Sequence, residues 1–259
     1  METVEGVFCF VPVRLSSERL PGKCLLDLHG HPVLHHLIER VRACRYIEGS
    51  EQIVICTTTA SADDPLEAFA AARGVRCFRG DENDIVRRFR DAADWVGAEV
   101  ILEIDGDDPL CAPESMDSVL DHLLANDDLE FVGARGLPLG LAPRCFTRDA
   151  LRRVMERRVP GDQDTGYELL FTESGWVKCG YVGEGEKYSG SEARFTLDYD
   201  EDFAFLEAVL TELYVPGEVF GVRRIEALLA VKPELIEINS GVAETYWARW
   251  NERASGVLE

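Results

Sequence analysis

Val7-Phe-Cys-Phe-Val-Pro-Val-Arg-Leu-Ser-Ser-Glu-Arg-Leu-Pro-Gly-Lys23 sets the terms for reading the rest of the chain. The unbroken apolar run from Val7 to Val13 reads as a strand buried on both faces. It gives way to a polar loop in which Arg14, Arg19 and Lys23 gather, within a protein of formal net charge −21. An acidic chain repels anions unless it builds a local exception, and this loop has that character. Pro21-Gly22-Lys23 bends the backbone, frees N–H groups and sets an ammonium beside them, which suits a polyphosphate. A basic surface turn with ordinary ion pairs is the alternative. The additional cations, with Ser16 and Ser17 directly after a buried strand, favour the phosphate. No GxxxxGK[ST] is present, since Lys23 is followed by Cys24, so a P-loop kinase or ATPase is disfavoured.

Outward from this strand, apolar runs and helical patterns alternate. Val33, Leu34, Leu37, Ile38 and Val41 repeat with helical spacing behind Pro32, which suits a first turn. Ile53–Thr58 is a β-branched run, and a helix is predicted from Asp63-Asp64-Pro65 to about Arg73. Val75–Phe78, a helix near Asp84–Val96, the strand Val100–Ile104 and a helix from about Glu114 to Ala125 continue the pattern. Such alternation predicts an α/β fold with a mostly parallel sheet covered on both faces. Ligands of these sheets collect at the carboxyl ends of the strands. The opening loop and the cluster Asp105–Asp108 both follow a predicted strand, so they can share one crevice. Residues 130–195 are less regular. Strong helical spacing returns with Phe203, Leu206, Val209, Leu210 and Leu213.

Composition narrows the class. With 259 residues and 46% hydrophobic content, the chain can bury a large core as a single domain. No apolar run has the length of a membrane span, and Met1-Glu-Thr-Val-Glu5 lacks the build of a signal peptide. Eight cysteines form no CxxC pair and read as buried thiols, with a zinc site as the lesser alternative. Together these features give the expectation of a cytoplasmic protein without membrane partners. The acidic balance argues against nucleic-acid binding. Lys23, Lys178, Lys187 and Lys232 are the only lysines, and arginine supplies the remaining positive charge. His29, His31, His35 and His36 have no metalloprotease spacing and read as a turn and helix surface. Tyr246, Trp247 and Trp250 read as helix packing or a dimer contact.

Ile104-Asp-Gly-Asp-Asp-Pro109 supplies carboxylates at a strand end, with Gly106 allowing a tight turn. A magnesium ion takes one or two protein carboxylates and leaves its other positions to water and substrate phosphates. Capping of the next helix is the competing explanation. Arg194-Phe-Thr-Leu-Asp-Tyr-Asp-Glu-Asp-Phe203 offers a partner carboxylate. Asp200–Asp202 load a helix N-terminus and read as structural. Asp198, at the end of a short strand, reads as functional.

These residues carry a family resemblance. Pro12–Lys23 is similar to the nucleotide-binding signature of sugar-acid cytidylyltransferases: the 3-deoxy-manno-octulosonate, acylneuraminate and spore-coat polysaccharide enzymes. The likeness continues through Ile55-Cys-Thr-Thr-Thr59, Phe78–Phe89, Asp105-Gly-Asp-Asp-Pro-Leu110 and Thr196–Asp202, in family order over most of the chain. It implies a Rossmann-like nucleotidyltransferase fold over residues 1–259, with 130–195 as an acceptor-binding and dimerisation elaboration. It also implies a homodimer that moves CMP from CTP to an acidic sugar in polysaccharide biosynthesis, with Mg2+ as cofactor and pyrophosphate released.

On that resemblance Arg14, Arg19 and Lys23 are catalytic, holding the triphosphate and offsetting charge that develops at the α-phosphate. Nucleotide contacts fall to Pro12, Val13, Arg14, Leu15, Ser16 and Lys23. Thr58, Arg79, Asp84 and Asp105 complete them, with Asp84 or Arg88 reading the base. Asp107 and Asp198 match the metal-binding aspartates. Such transfer is mostly positioning and electrostatic stabilisation. One departure bears on the acceptor. Where the spore-coat branch commonly shows an acid after a Gly-Leu-Asp segment, this chain reads Gly140-Leu-Ala-Pro-Arg144. Arg144 would favour an anionic acceptor, a carboxylate or a phosphonate; an exposed arginine unrelated to substrate is the alternative. Gln163, Asp164 and Tyr167 are further acceptor-side candidates. A phosphonate cytidylyltransferase, an enzyme using another NTP, and a regulatory protein that binds nucleotide without chemistry remain the competing functions.

Overall fold

Strand β1 (Val7–Pro12) is hydrogen-bonded on both sides, which its apolar sequence requires. A computed structural model describes residues 6–159, 165–183 and 193–258. After β1 come the two-residue hairpin strands β2 (Asp27–Leu28) and β3 (His31–Pro32), then helix α1 (Val33–Arg42). Strand β4 (Ile53–Thr58) leads to α2 (Asp64–Arg73), β5 (Arg76–Gly80) to α3 (Ile85–Val96), and β6 (Val100–Glu103) to α4 (Pro113–Leu124). The second half adds β7 (Phe131–Ala134), β8 (Arg144–Thr147), α5 (Arg148–Arg157), α6 (Leu169–Thr172) and β9 (Cys179–Val182). Helices α7 (Asp200–Leu213), α8 (Val222–Val231) and α9 (Ala243–Ala254) follow.

Among the described residues, seven strands form one sheet in the order β5-β4-β1-β6-β8-β7-β9. All run parallel except β8, which is antiparallel to both its neighbours. Residues 130–195, expected as an elaboration, thus contribute β7, β8 and β9 to the central sheet. Alternate residues of β1 face opposite layers. Val7, Cys9 and Val11 join Leu37, Val41, Met116 and Val119, the apolar faces of α1 and α4. Phe10 turns the other way, to Phe89 of α3 and Phe146 of β8. A third apolar group joins Leu28 and Phe195 to Phe205, Leu206 and Val209 of α7.

Candidate active site

The parallel register brings the carboxyl ends of β1 and β6 side by side, with Phe10 opposite Glu103. Past these ends the two chains stay in contact, as Gly106 donates its N–H to the Pro12 carbonyl at 3.0 Å. A Cβ on Gly106 would lie 2.8 Å from the Val13 Cβ, so only glycine lets these loops approach this closely. The loop after β1 is closed by Gly22 N–H donating to Leu15 O at 3.0 Å. Gly22 sits at φ 69°, the left-handed turn that delivers Lys23 inward.

Lys23 is almost fully buried and its ammonium bridges two carboxylates. It donates to Asp198 Oδ1 at 2.9 Å and to Asp107 Oδ2. Burial would lower its pKa, but Asp107 and Asp198 outweigh that and raise it, so the ammonium stays charged. Asp198 also accepts from Arg19, and from Arg194 Nη2 at 3.1 Å. Burial pushes its carboxyl up, yet Lys23 and Arg19 hold it below the usual carboxylate range. Asp107 has fewer cations around it, and burial prevails over Lys23 to raise its pKa.

Lys23, Arg19, Asp107 and Asp198 line a cavity of about 580 Å³, as do Pro12, Val13, Arg14, Ser16 and Asp105. Of the residues expected at the nucleotide, Leu15, Thr58, Arg79 and Asp84 stand behind its wall. The N–H of Leu15 and the hydroxyl of Thr58 both donate to Asp63. Arg79 is tied to the carbonyls of Thr58 (3.0 Å) and Ala60 (2.8 Å) and to Asp64 (2.6 Å). Asp84 caps α3 by accepting from Arg87 N–H at 2.9 Å, and its other oxygen takes Arg158. Arg88, one turn into α3 and buried, does reach the cavity beside Ile85.

A second cavity of about 170 Å³ adjoins the first and shares Arg19, Asp105, Asp107 and Asp198 with it. Arg144 lines it because β8 runs antiparallel to β6, which sets the first residue of β8 against Glu103, the last of β6. The Arg144 guanidinium is not presented freely to an anion. It donates to Asp105 Oδ2 at 2.8 Å and to the Tyr167 hydroxyl at 2.9 Å, and it abuts Glu103. Burial pushes the Glu103 carboxyl up to about 8, with Arg144 pulling against it. Tyr167, also expected on the acceptor side, lines this cavity, while Gln163 and Asp164 lie outside the described residues.

Sequence reasoning missed Glu103, Arg194, Arg249 and Arg253. Glu103 interrupts the apolar run Val100-Ile-Leu, and a charge inside a buried strand was the available signal. Asp202, read as structural, is fully buried. It accepts from the backbone N–H groups of Asp198 (3.0 Å) and Tyr199 (3.1 Å) and from the Asn239 side-chain amide (3.0 Å). It therefore fixes the turn that presents Asp198. The rings of His29, His31, His35 and His36 pack on one another or on Tyr214, away from either cavity.

Whether a divalent cation fits can be judged from the donor set. Asp107 and Asp198 present hard oxygen ligands and share the Lys23 nitrogen at the junction of the two cavities. Among the described residues no cluster of three or more metal-binding side chains exists. Paired carboxylates alone suit an ion that completes its shell with water and phosphate, as magnesium does, and do not suit zinc.

A family model described as cytidylyltransferase matches residues 8–176. The chain is 27% identical over 210 residues to the spore coat polysaccharide biosynthesis protein SpsF of Bacillus subtilis, covering 80% of this chain and 87% of that one. It is 27% identical over 226 residues to the 3-deoxy-manno-octulosonate cytidylyltransferase of Serratia proteamaculans, covering 84% and 83% respectively. Among solved structures, a cytidylyltransferase from Leptospira borgpetersenii serovar Hardjo-bovis matches with a TM-score of 0.79 at 26% identity, covering 89% of this chain and 96% of that one.

Proposed function

The chain belongs to the cytidylyltransferase family, and from that premise we propose that it transfers CMP from CTP to an acidic sugar or related acid, with release of pyrophosphate. The observation that carries the reading is the bridge from Lys23 to Asp107 and Asp198 at the junction of a larger and a smaller cavity. In this reading CTP occupies the larger cavity, with its triphosphate along Arg14, Arg19 and Lys23. The acceptor occupies the smaller one. The α-phosphate then lies where the cavities meet.

Asp107 and Asp198 would hold the Mg2+ ion. That ion would supply charge neutralisation at the phosphates and a template for the incoming oxygen. Lys23 and Arg19 are positioned to follow the chemistry by exchanging carboxylate partners for phosphate oxygens. Their charges are desolvated and fixed in advance, so they stabilise charge on the leaving pyrophosphate without reorganising solvent. Arg194 keeps Asp198 oriented through this exchange, and Arg144 keeps Asp105 oriented. The acceptor's own oxygen attacks, so no side-chain nucleophile is required.

The name of the Serratia relative supports a sugar acid as acceptor, and that of SpsF supports a place in polysaccharide biosynthesis. Among the described residues no helix is long and apolar enough to cross a membrane. A homodimer belongs to the same reading, and light scattering on the purified chain decides it. The function is tested by pyrophosphate release from each of the four NTPs with Mg2+ and a panel of acidic acceptors. CTP-specific release supports it; tight CTP binding without release for any acid contradicts it.

A further inference from the structure

Helix α9 lies beyond the segment matched by the family model, yet it forms one wall of the smaller cavity. Tyr246, Arg249, Trp250 and Arg253 follow the spacing i, i+3, i+4, i+7 and so share one helix face. All four line the smaller cavity, and the two arginines also reach the larger one. The helix is seated at both ends. The Tyr246 ring lies 4.2 Å from the guanidinium of Arg194, which itself donates to Asp198. At the other end a Cβ on Gly166 would come within 2.7 Å of the Ala254 Cβ, and Val257 packs into the core with Tyr167 and Leu170.

The charges of the smaller cavity are unevenly committed. Arg19 is bound to Asp198, and Arg144 to Asp105 and the Tyr167 hydroxyl, as described above. Among the described residues, the only carboxylate within ion-pair distance of Arg249 (3.5 Å) or Arg253 (3.0 Å) is Glu18. Its side chain is 71% exposed, so that pairing is weak and easily exchanged. Two guanidinium groups one turn apart repel each other, and an anion placed between them relieves the repulsion. Guanidinium forks also match the planar oxygens of a carboxylate or the oxygens of a phosphonate.

We propose that Arg249 and Arg253 of α9 are the groups that recognise the acceptor's anionic head, with Tyr246 and Trp250 walling its carbon skeleton. This assignment rests on the cytidylyltransferase reading and moves acceptor recognition from Arg144, which is held by its neighbours, to the C-terminal helix.

The test compares wild type with R249Q/R253Q, and with R249K/R253K as the variant that keeps charge but loses the fork. CTP affinity is measured by calorimetry with Mg2+. Acceptor binding is followed by tryptophan fluorescence, with Trp247 and Trp250 as reporters on α9, using 3-deoxy-manno-octulosonate, N-acetylneuraminate and 2-aminoethylphosphonate. The expected result is a loss of affinity of about tenfold or more for the acid that wild type binds, with CTP affinity unchanged and partial recovery in the lysine variant. Unchanged acid affinity overturns the proposal. So does a parallel fall in CTP affinity, which would assign the pair to the triphosphate, or a wild-type chain that binds CTP but none of the acids. If acid binding depends on the pair but CTP does not bind at all, the transfer reading fails while the arginine site stands.

Discussion

Lys23 donates to Asp198 across 175 residues of sequence, tying the loop after the first strand to the turn before α7. The same nitrogen reaches Asp107, so one ammonium links the elements that build the site. A buried cation of this kind is costly unless paired, and its pairs are the carboxylates proposed to hold metal.

Replacing Lys23 by Met should therefore lower kcat/KM by about a hundred- to a thousandfold, the usual effect of losing a preorganised charge at developing phosphate charge. Initial rates of pyrophosphate release measure this. A fall below about fivefold would remove Lys23 from the chemistry.

The two aspartates should separate when each is changed to Asn. Asp107 has Lys23 as its cation partner, whereas Asp198 anchors Lys23, Arg19 and Arg194. Asp107→Asn should fold as wild type and lose turnover by about a hundredfold or more. Asp198→Asn should lose turnover and also about 3 kcal/mol of stability, because it leaves buried cations unmatched. Urea denaturation beside the rate assay distinguishes the two, and equal stability losses would contradict the assignment.

Asp202 should act through the turn that it holds rather than through the reaction. Truncation to Ala removes the acceptor for two backbone N–H groups and the Asn239 amide, at a cost of about 3 kcal/mol. Activity per folded molecule should fall mainly through a misplaced Asp198, and Asp202→Asn should recover part of it.

Glu103 makes stability pH-dependent. Its pKa rises from an ordinary 4.5 to about 8 in the fold, because burial disfavours the anion. Between those values the folded chain keeps a proton that the unfolded chain releases. The contribution is thus complete below pH 4.5 and is lost as pH rises through about 8. Glu103→Gln, a neutral mimic of the protonated acid, should melt close to wild type at pH 5 and above it by pH 8.5. A stability gap independent of pH would show that Glu103 is ionised throughout.

The first half of the fold was legible because each element carries one clear pattern. The apolar run Val7–Val13, the helical repeat from Val33 and the β-branched Ile53–Thr58 fall within a residue or so of their observed bounds. Strands β7, β8 and β9, four residues each, are too short for periodicity to register. Nothing within Arg144–Thr147 records that β8 reverses, since pairing direction is set by how the connections return. Arg79 and Asp84 illustrate the limit at the site. The resemblance assigns them to the nucleotide, while in the fold Arg79 bonds to backbone carbonyls and Asp84 caps α3. Arg249 and Arg253 are hard to read from sequence because the aromatic residues between and beside them point to packing.

The cleft joining Lys23, Asp107 and Asp198 is proposed to move CMP from CTP. It is tested most directly by following pyrophosphate release from CTP, UTP, ATP and GTP with Mg2+ and acidic acceptors, with and without chelator. Release from CTP should require both an acid and the cation and be lost in Asp107→Asn. Release that persists in chelator or in Asp107→Asn, or none from CTP with any acid, would contradict it.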